Sequence, residues 1–526
     1  MVPFARACTR LVLVALGLAG AAAMAAEFSA QEQAGRRLFR DGVGASGAEV
    51  SARVGVASTP VPGRVVPCAN CHGNDGRGRA ESGVLPPSIT WTELTKAYGH
   101  RHENGREHMA FDAAGVVRAV TLGLDPAGNA LGPAMPRFAL GREDLDNLVA
   151  YLKRLEHDHD PGVHGDRLRL GTLLPLSGPL AGSGRLVQRV LEGYVADLNE
   201  AGGLYGRKLE LVSADAMVAP AERSARWRET LAGGDMLALL APMTPGAEVE
   251  LMQLAEAQRV PVIGPLGPGA SPGATRPRYS FYVNAGLSEL VRTLVVHATA
   301  SVAAPGAPLV LIAPDDPAHE ALVGALRQQC ESARCGAVGA YRYPGGAFDA
   351  AAALATLRAS GATLVHFLGA EDDLATFLAA ADESGTHPTV LLPGALGARA
   401  AVRAPAGFAG RILLAYPSSP DEPLRAGGPF EAFRARHALP PSGVATQAAA
   451  YAAAALLAEG VRRSGRAVSR ERLVASLEAL RAFRTYASPP LSYGPDRRVG
   501  ALGGHIVALE ADGAQFRTVN RWLPLD

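Results

Sequence analysis

Two cysteines three positions apart, followed at once by a histidine, constrain this chain most, and they lie in the segment PCANCHGNDGRG at residues 67–78. This order of residues is the attachment signature of c-type haem. Cys68 and Cys71 would form thioethers to the porphyrin from one short helical turn, and His72 would be the proximal iron ligand. Half of a zinc site and a thioredoxin-like redox pair are the alternatives, but zinc would need a second Cys/His pair at ligand spacing. We therefore predict one covalent haem c.

An iron that carries electrons also needs a sixth ligand, and the segment LGPAMPRF at residues 131–138 offers the thioether of Met135. The prolines on either side favour a stiff extended loop, which ends just before a predicted helix. A thioether opposite His72 would fill the iron and raise its potential relative to a bis-histidine or open site. The alternative is that Met135 only fills the core, as lone methionines commonly do.

Residues 27–157 resemble a class I cytochrome c. The resemblance rests on AGRRLFRDG at 34–42, the haem turn, the methionine loop and GREDLDNLVAYLKRL at 141–155. In that family a glycine and an aromatic residue of the first helix cross the last helix, and Gly35, Phe39 and Tyr151 match these positions. The resemblance implies an all-α domain, and the long segment before the methionine loop departs from the family pattern.

Residues 1–26 are predicted to be a secretory signal peptide. Arg6 and Arg10 precede an apolar run at residues 11–25, which ends in the small-x-small pattern of a cleavage site. The run is shorter than the roughly 20 residues that a membrane span needs. Cys8 precedes the run and therefore cannot be the lipidated cysteine of a lipoprotein. We expect a periplasmic protein with no membrane span after signal removal, which agrees with haem attachment outside the cytoplasmic membrane.

The charge and the cysteine content of the chain limit which partners and which disulfides are possible. The 526 residues include 51 basic and 50 acidic side chains, so no global field favours nucleic acid or a membrane surface. Cys330 and Cys335 remain once Cys8 is removed and the haem cysteines are committed. In an oxidising compartment these two can form a disulfide, with two reduced structural cysteines as the alternative.

Two groups of histidines could bind metal, but both have simpler explanations. The first group lies in the segment YGHRHENGREH and consists of His100, His102 and His108. One of these could replace Met135 on the iron, although a solvated loop is the plainer interpretation. The second group consists of His157, His159 and His164, which lie in or beside residues 158–166. These residues are predicted to be a hydrated linker because they are polar and contain Pro161 and two glycines.

From residue 167 the pattern changes to short apolar strands that alternate with helices. LRLGTLLPL, LELVSAD, MLALLAP, VPVIGPL, LVLIAPDD, LVHFLGA and TVLLPGA are such strands. This alternation predicts parallel sheets of the doubly wound kind, and the length of the region predicts two lobes. A GxGxxG fingerprint after the first strand and a P-loop are both absent from the sequence, so a phosphate cradle is not expected.

Residues 167–526 resemble the type I periplasmic solute-binding proteins of the branched-chain amino acid receptor group. LSGPLAGSG, LEGYVADLNEAGGLYGRKLELVSAD, APMTPG, VPVIGPLGPGAS and YVNAG carry the resemblance. It implies two Rossmann-like lobes that are joined by three crossings and close on a solute by hinge motion. We place the crossings near residues 285, 416 and 487. Lobe one is then about 167–285 with 417–487, and lobe two about 286–416 with 488–526.

The resemblance implies solute contacts at Ser177, Thr244 and Ser271, where the family grips a carboxylate with loop hydroxyls and amides. The alternative for all three is ordinary loop capping. In lobe two the chain reads APDDPAHE where relatives have a tyrosine, and LLPGAL where they carry an ammonium-binding acid. Both departures argue against an amino acid as the solute.

The sequence therefore predicts a monohaem cytochrome fused to a solute-binding module, with one-electron transfer as its activity. Expected partners are a periplasmic dehydrogenase or oxidase and a small solute, and nucleic acid is not expected. A second hypothesis is a receptor that hands solute to an ABC permease, with the haem as an accessory. A third is a haem peroxidase, which needs an open iron site that Met135 would block.

Overall fold

The computed structural model describes residues 28–47, 49–78, 86–102, 105–267, 277–304, 306–418, 428–510 and 516–525. The predicted signal peptide at 1–26 lies outside these residues. The chain divides into two compact units, and the boundary falls between Asp158 and His159.

The first unit, which we call the cytochrome unit after the resemblance of its sequence, is mainly helical, as predicted, and it also carries short antiparallel strands. The helices are α1 (Ala30–Asp41), α2 (Cys68–His72), α3 (Trp91–Leu94), α4 (Ala113–Leu122) and α5 (Arg142–Leu152). The strands are β1 (Ser51–Val54), β2 (Thr59–Pro62), β3 (His100–Arg101), β4 (Glu107–His108) and β5 (Arg137–Ala139). Strand β1 lies between β2 and β5 in a small sheet, while β3 and β4 form a separate hairpin.

Helices α1 and α5 cross at a glycine. A capping box between Ser29 and Glu32 starts α1, which turns Gly35 and Phe39 inward. A side chain at Gly35 would overlap the backbone of Asn147 and the Cβ atom of Tyr151. The rings of Phe39 and Tyr151 then pack in a tilted pair with centroids 5.4 Å apart. The two helices can therefore approach this closely only because residue 35 lacks a side chain.

A buried carboxylate joins the same two helices at the end of the unit. The side chain of Asp158 is 4% exposed and pairs with Arg36 at 2.7 Å and Arg40 at 2.9 Å. The hydroxyl of Tyr151 donates a hydrogen bond of 2.6 Å to the same carboxylate. Burial, and to a lesser degree the neighbouring carboxylate, raise the pKa of Tyr151 and keep its hydroxyl a donor.

The second unit is built from alternating helices and strands. Its helices are α6 (Ala181–Glu200), α7 (Pro220–Gly233), α8 (Glu248–Ala257), α9 (Leu287–Ser301), α10 (Pro317–Ala333), α11 (Ala350–Ser360), α12 (Glu371–Glu383), α13 (Gly394–Val402), α14 (Pro429–Arg436), α15 (Val444–Ser464) and α16 (Arg470–Glu478). Its strands are β6 (Arg167–Leu174), β7 (Lys208–Asp215), β8 (Ala238–Leu240), β9 (Val262–Ile263), β10 (Ser280–Asn284), β11 (Leu309–Pro314), β12 (Val338–Tyr343), β13 (Leu364–Phe367), β14 (Thr389–Pro393), β15 (Ile412–Tyr416), β16 (Val499–Ala501), β17 (Gly503–Leu509) and β18 (Phe516–Pro524).

Two sheets define two lobes, as the alternation of strands and helices predicts. The sheet of lobe one has the order β16-β10-β9-β8-β6-β7, and all of its pairings are parallel. The sheet of lobe two has the order β12-β11-β13-β14-β15-β17-β18, in which β17 and β18 add antiparallel strands at one edge. The core of each lobe consists mainly of Val, Leu, Ile and Ala side chains.

The third crossing between the lobes lies later than the predicted residue 487. Leu491 and Tyr493 belong to the core of lobe one, and β16 pairs with β10 through Tyr282 with Val499 and Asn284 with Ala501. The chain leaves lobe one only between β16 and β17. The assignment of 488–501 to lobe two was therefore wrong, because a three-residue strand gives no periodic signal that a sequence pattern could show.

Helix α15 is, among the described residues, the one helix that is long and apolar enough to cross a membrane by length and composition. Of its most apolar window, 67% is buried inside the protein. Ala450, Leu456 and Leu457 of this helix lie in the core of lobe one. By length and composition α15 is therefore an exception to the expectation of no membrane span after signal removal, and its burial is that of a core helix.

The predicted hydrated linker is instead packed against lobe one from Asp160 onward. The carboxylate of Asp160 accepts a hydrogen bond of 2.7 Å from the backbone of Arg470. Val163 lies in the lobe one core, and the ring of His164 lies 2.6 Å from the carboxylate of Asp235. Polar composition suggested hydration, but these polar groups find partners on the lobe.

Gly35→Ala tests the helix crossing. The added methyl group should force α1 and α5 apart and lower the free energy of unfolding by about 1–3 kcal/mol, the usual cost of overpacking. Urea unfolding followed at the haem absorption band reports this change for the cytochrome unit.

The matched control for this experiment is Arg37→Ala on the exposed face of α1. It should change the free energy of unfolding by no more than about 0.5 kcal/mol. Equal stability of the Gly35→Ala protein and wild type would show that the crossing tolerates a side chain.

Candidate haem site and solute-binding module

The two cysteines and the histidine of the CANCH segment form a short helix of their own. Pro67 precedes α2 in an extended conformation, and Gly73 ends it at a φ of +75°. Cys68 is partly buried and Cys71 is exposed, whereas His72 is only 8% exposed. One turn therefore presents two thiols and, at its end, a buried imidazole.

The ring of His72 is held in one tautomer. Its Nδ1 lies 3.1 Å from the carbonyl oxygen of Pro87, and because a carbonyl can only accept, Nδ1 carries the hydrogen. The lone pair is then on Nε2, as a metal-ligating histidine requires. Burial lowers the pKa of His72 and keeps the ring neutral, although the bond to Pro87 opposes this shift.

The glycines after the motif bring the Pro87 carbonyl to His72. Gly78 donates its backbone N–H to the carbonyl of His72 at 2.9 Å and has a φ of +82°. A side chain at Gly78 would overlap the carbonyl of Pro86. Sequence reasoning noted this glycine-rich tail but missed Pro87, because the acceptor lies 15 positions from His72.

The environment of the thiols argues against a redox pair. Burial raises the pKa of the Cys68 thiol to about 12, whereas reactive dithiols have a lowered pKa. A zinc site at the two cysteines is not supported either, since among the described residues no group of three His, Cys, Asp or Glu side chains includes them. Cys68, Cys71 and His72 thus have the donor set and the burial that a covalent haem needs.

Met135 borders the same hydrophobic core as Cys68, and both side chains are partly buried there. Its backbone N–H donates to Gly132 at 3.2 Å, which makes a tight turn in the loop. The guanidinium of Arg137 donates to the carbonyls of Met135 and Leu131. The methionine loop is therefore held by an arginine that sequence reasoning missed, although Arg137 stands only two positions after the methionine.

The histidines at 100, 102 and 108 are part of a folded hairpin and do not form a solvated loop. Strands β3 and β4 pair His100 with His108, and His108 is 7% exposed. The expectation of a solvated loop was wrong because the antiparallel pairing buries residues that look polar in sequence.

The loops that follow the strands of lobe one carry the predicted solute contacts. The carboxylate of Asp215 accepts from the backbone of Leu176 and Met217, each at 3.0 Å. Desolvation works against ionisation, but these bonds and one from the Ser177 hydroxyl together lower the pKa of Asp215. The hydroxyl of Ser177 thus has a partner at the end of the neighbouring strand β7.

The second predicted contact, Thr244, is buried in the loop after β8. Its carbonyl accepts a hydrogen bond of 2.9 Å from the backbone N–H of Ala247. Ser271 lies outside the described residues.

Cys330 and Cys335 are joined by a disulfide at the end of α10, with their Cα atoms 4.9 Å apart. Arg334 between them adopts a left-handed conformation that caps the helix. The backbone N–H of Cys335 donates to the carbonyl of Cys330 at 2.9 Å. The bridge therefore closes the last turn of α10.

Residues 167–513 match the family model described as periplasmic binding protein, and residues 66–156 match the model for cytochrome c. The chain belongs to the periplasmic binding protein family. It carries a cytochrome c domain ahead of the binding module. No curated protein matches the chain.

Solved structures share the fold of this periplasmic binding protein. A putative branched-chain amino acid ABC transporter from Rhodospirillum rubrum is 19% identical, with a TM-score of 0.53 over 67% of this chain and 100% of that one. A fatty acid ABC transporter substrate-binding protein from Thermomonospora curvata is 14% identical, with a TM-score of 0.51 over 70% and 95%. A type 1 periplasmic binding protein from Bordetella pertussis Tohama I is 17% identical, with a TM-score of 0.51 over 68% and 100%.

Gly78→Ala tests the support of His72 in the cytochrome c domain. The new methyl group should displace the Pro86–Pro87 segment and weaken the bond to His72 Nδ1. A less basic imidazole stabilises Fe(III) less, so the reduction potential of the haem should rise. Redox titration of the haem measures the change.

Gly128→Ala is the matched control, because Gly128 also has a positive φ, +84°, but nothing lies within 4 Å of the added atom. Both variants share a backbone strain of about 1–2 kcal/mol. An equal potential in both variants would show that Gly78 does not support His72.

Proposed function

We propose that this protein is an exported one-electron carrier whose haem is held in the cytochrome c domain. The observation that carries the proposal is the buried, neutral imidazole of His72, whose Nδ1 is tied to Pro87 at 3.1 Å. A ligand fixed in this way suits a metal that changes its charge without changing its coordination.

Each residue of the site has one role in this proposal. Cys68 and Cys71 hold the porphyrin as thioethers, His72 is the proximal ligand and Met135 is the sixth ligand. When bound, haem c supplies a one-electron Fe(III)/Fe(II) couple. Arg137 supports the carbonyls of the methionine loop, and so keeps Met135 in place. The proposal assigns no bond-breaking chemistry to side chains, which separates it from a haem peroxidase.

The binding module would localise or regulate this electron traffic in the periplasm. We infer that its solute differs from an amino acid. In support, the segment LLPGAL lacks the acid that the family uses for an ammonium group. The ring of Tyr416 lies so close to Gly394 in this segment that a side chain at Gly394 would overlap it. The redox partner in this proposal is a periplasmic dehydrogenase or oxidase.

A solute receptor for an ABC permease is the second candidate. The family match over residues 167–513 supports it, as do the solved structures, whose names refer to ABC transporters of branched-chain amino acids and fatty acids. This candidate requires solute affinity that does not depend on the haem, and loss of uptake when the binding module is deleted.

Met135→Ala tests the sixth ligand. Loss of the thioether should abolish the weak near-infrared sulfur-to-iron band of the oxidised protein and lower the potential, because a thioether favours Fe(II). Absorption spectra and redox titration of the holoprotein measure both effects.

The control for the ligand experiment is Met109→Ala, a methionine of the same domain that is 64% exposed. It should leave the band and the potential unchanged. A wild-type spectrum of the bis-histidine or high-spin type would refute Met135 as ligand.

Solute affinity in two redox states separates the two candidates. Leucine, valine and a series of fatty acids are first screened by thermal shift on the full protein, since a ligand at a hundred times its dissociation constant adds about 2.7 kcal/mol. A confirmed solute is then titrated against the fully oxidised and the fully reduced protein. If the solute regulates electron transfer, the oxidised and reduced proteins should bind it with different affinities. A tenfold difference in affinity corresponds to a solute-induced shift of about 59 mV in the potential of a one-electron couple. Equal affinities together with solute-independent electron transfer rates would leave the receptor hypothesis.

A further inference from the structure

Three histidines of the cytochrome unit converge on one face of the hairpin formed by β3 and β4. His100 pairs with His108 across the hairpin, and the backbone of His102 donates to Arg106 at 2.9 Å. His102 directly follows β3, and its ring stacks with that of His100 on the same side of the hairpin, with centroids 6.0 Å apart. The register of the hairpin thus assembles three imidazoles from a short segment.

Two of these imidazoles meet through their Nε2 atoms. The Nε2 of His102 lies 3.0 Å from the Nε2 of His108. The ring of His100 lies 5.2 Å from that of His108 and 6.0 Å from that of His102, between centroids. Phe111 packs edge-on against His108 at 4.9 Å. His108 is therefore buried against an aromatic ring, which limits the access of water to it.

The hydrogen bonds around the pair conflict with one another. The Nδ1 of His108 faces the carbonyl of Met109 at 2.8 Å, so it carries the hydrogen and Nε2 holds a lone pair. The Nε2 of His102 faces that lone pair and also faces Nη2 of Arg106 at 3.0 Å. A single ring nitrogen cannot donate to His108 and accept from Arg106 at once. A cation bound by both Nε2 lone pairs would remove this conflict.

The surroundings can accommodate such a cation. Arg106 holds the carboxylate of Asp125 through its other terminal nitrogen, Nη1, at 2.8 Å, and the Asp125 side chain is 0% exposed. Nη2 can therefore turn away from His102 while the ion pair is kept. Burial, followed by the nearby charge of Arg106, lowers the pKa of His102 and keeps its ring neutral. The carbonyl of Met109 accepts the hydrogen of His108 Nδ1 and so orients the ring, as a carbonyl commonly does for a ligating histidine.

We propose that His102 and His108 bind one late first-row divalent metal ion, such as Zn²⁺, through their Nε2 atoms. Imidazole nitrogen is a favoured ligand for these ions, and water fills the remaining positions or His100 takes one. As it stands, His100 points Nε2 at the carbonyl of Glu93, at 2.7 Å. No three candidate ligands of the described chain are grouped as a metal site, so His100 must rotate to ligate.

The site would stabilise the segment in which this chain departs from the cytochrome family pattern. The two strands of the hairpin are only two residues long each. A metal ion that joins His102 to His108 would cross-link the two sides of the hairpin. This assignment is independent of the proposed electron transfer and of the solute.

The experiment uses the full holoprotein, first treated with EDTA and then dialysed against Zn²⁺. The ratio of zinc to haem iron is measured by elemental analysis across a range of free Zn²⁺ concentrations. Wild type should saturate at one zinc per iron. Loss of the group that hydrogen-bonds to a metal ligand alone costs about 10–100-fold in affinity. His102→Gln and His108→Gln, which remove a ligand itself, should therefore each weaken binding at least about tenfold.

The control is His319→Gln in lobe two, because His319 is also partly buried and is paired with Asp316 at 2.8 Å. It should bind zinc like wild type. Far-ultraviolet circular dichroism and a cooperative urea transition show whether each variant is folded, and His102→Gln decides the outcome if His108→Gln fails to fold. Absence of saturable zinc in wild type, or unchanged affinity in the folded His102→Gln protein, would overturn the proposal. So would a changed haem spectrum in zinc-free His102→Gln, because it would assign the cluster to the iron.

Discussion

The buried carboxylate of Asp158 is the interaction on which the cytochrome unit depends. Arg36 and Arg40 of α1 and Tyr151 of α5 all converge on it, so one charge joins the first and last helices. An unpaired charge in such a place would cost several kcal/mol, roughly 3–5 for a broken buried pair, which restrains the helices to this arrangement. The same two helices cross closely at Gly35, and α2 packs against α1. Helix α2 therefore rests on a frame that contains none of the proposed haem ligands.

Sequence patterns predicted the parts of the molecule whose signals are local. The CANCH segment has a fixed spacing, and the strands of both lobes are apolar runs bounded by turns. Sequence reasoning missed the groups that act on the site from a distance, such as Pro87. The third crossing was misplaced for a similar reason, because β16 is defined by its pairing with β10 and not by its own three residues.

Polar segments were the least predictable part of the chain. Both the linker near His164 and the segment around His102 suggest hydration by composition. In the structure, His164 lies beside Asp235 and His102 beside His108, because antiparallel pairing and docking supply partners that lie far away or across a turn. Composition reports how much polar surface a segment has, but the fold decides whether water or protein satisfies it.

The order of the strands in lobe one bears on how the chain matures. The cytochrome unit is complete once residue 158 has been made, and all of its structural partners are then available. Lobe one, in contrast, begins at the start of the binding module and still lacks its edge strand until Ala501 arrives. Because domains generally fold as units, the cytochrome unit can fold before lobe one is complete. In lobe one, the side of β10 that pairs with β16 has no neighbouring strand until this late segment of the chain joins the sheet.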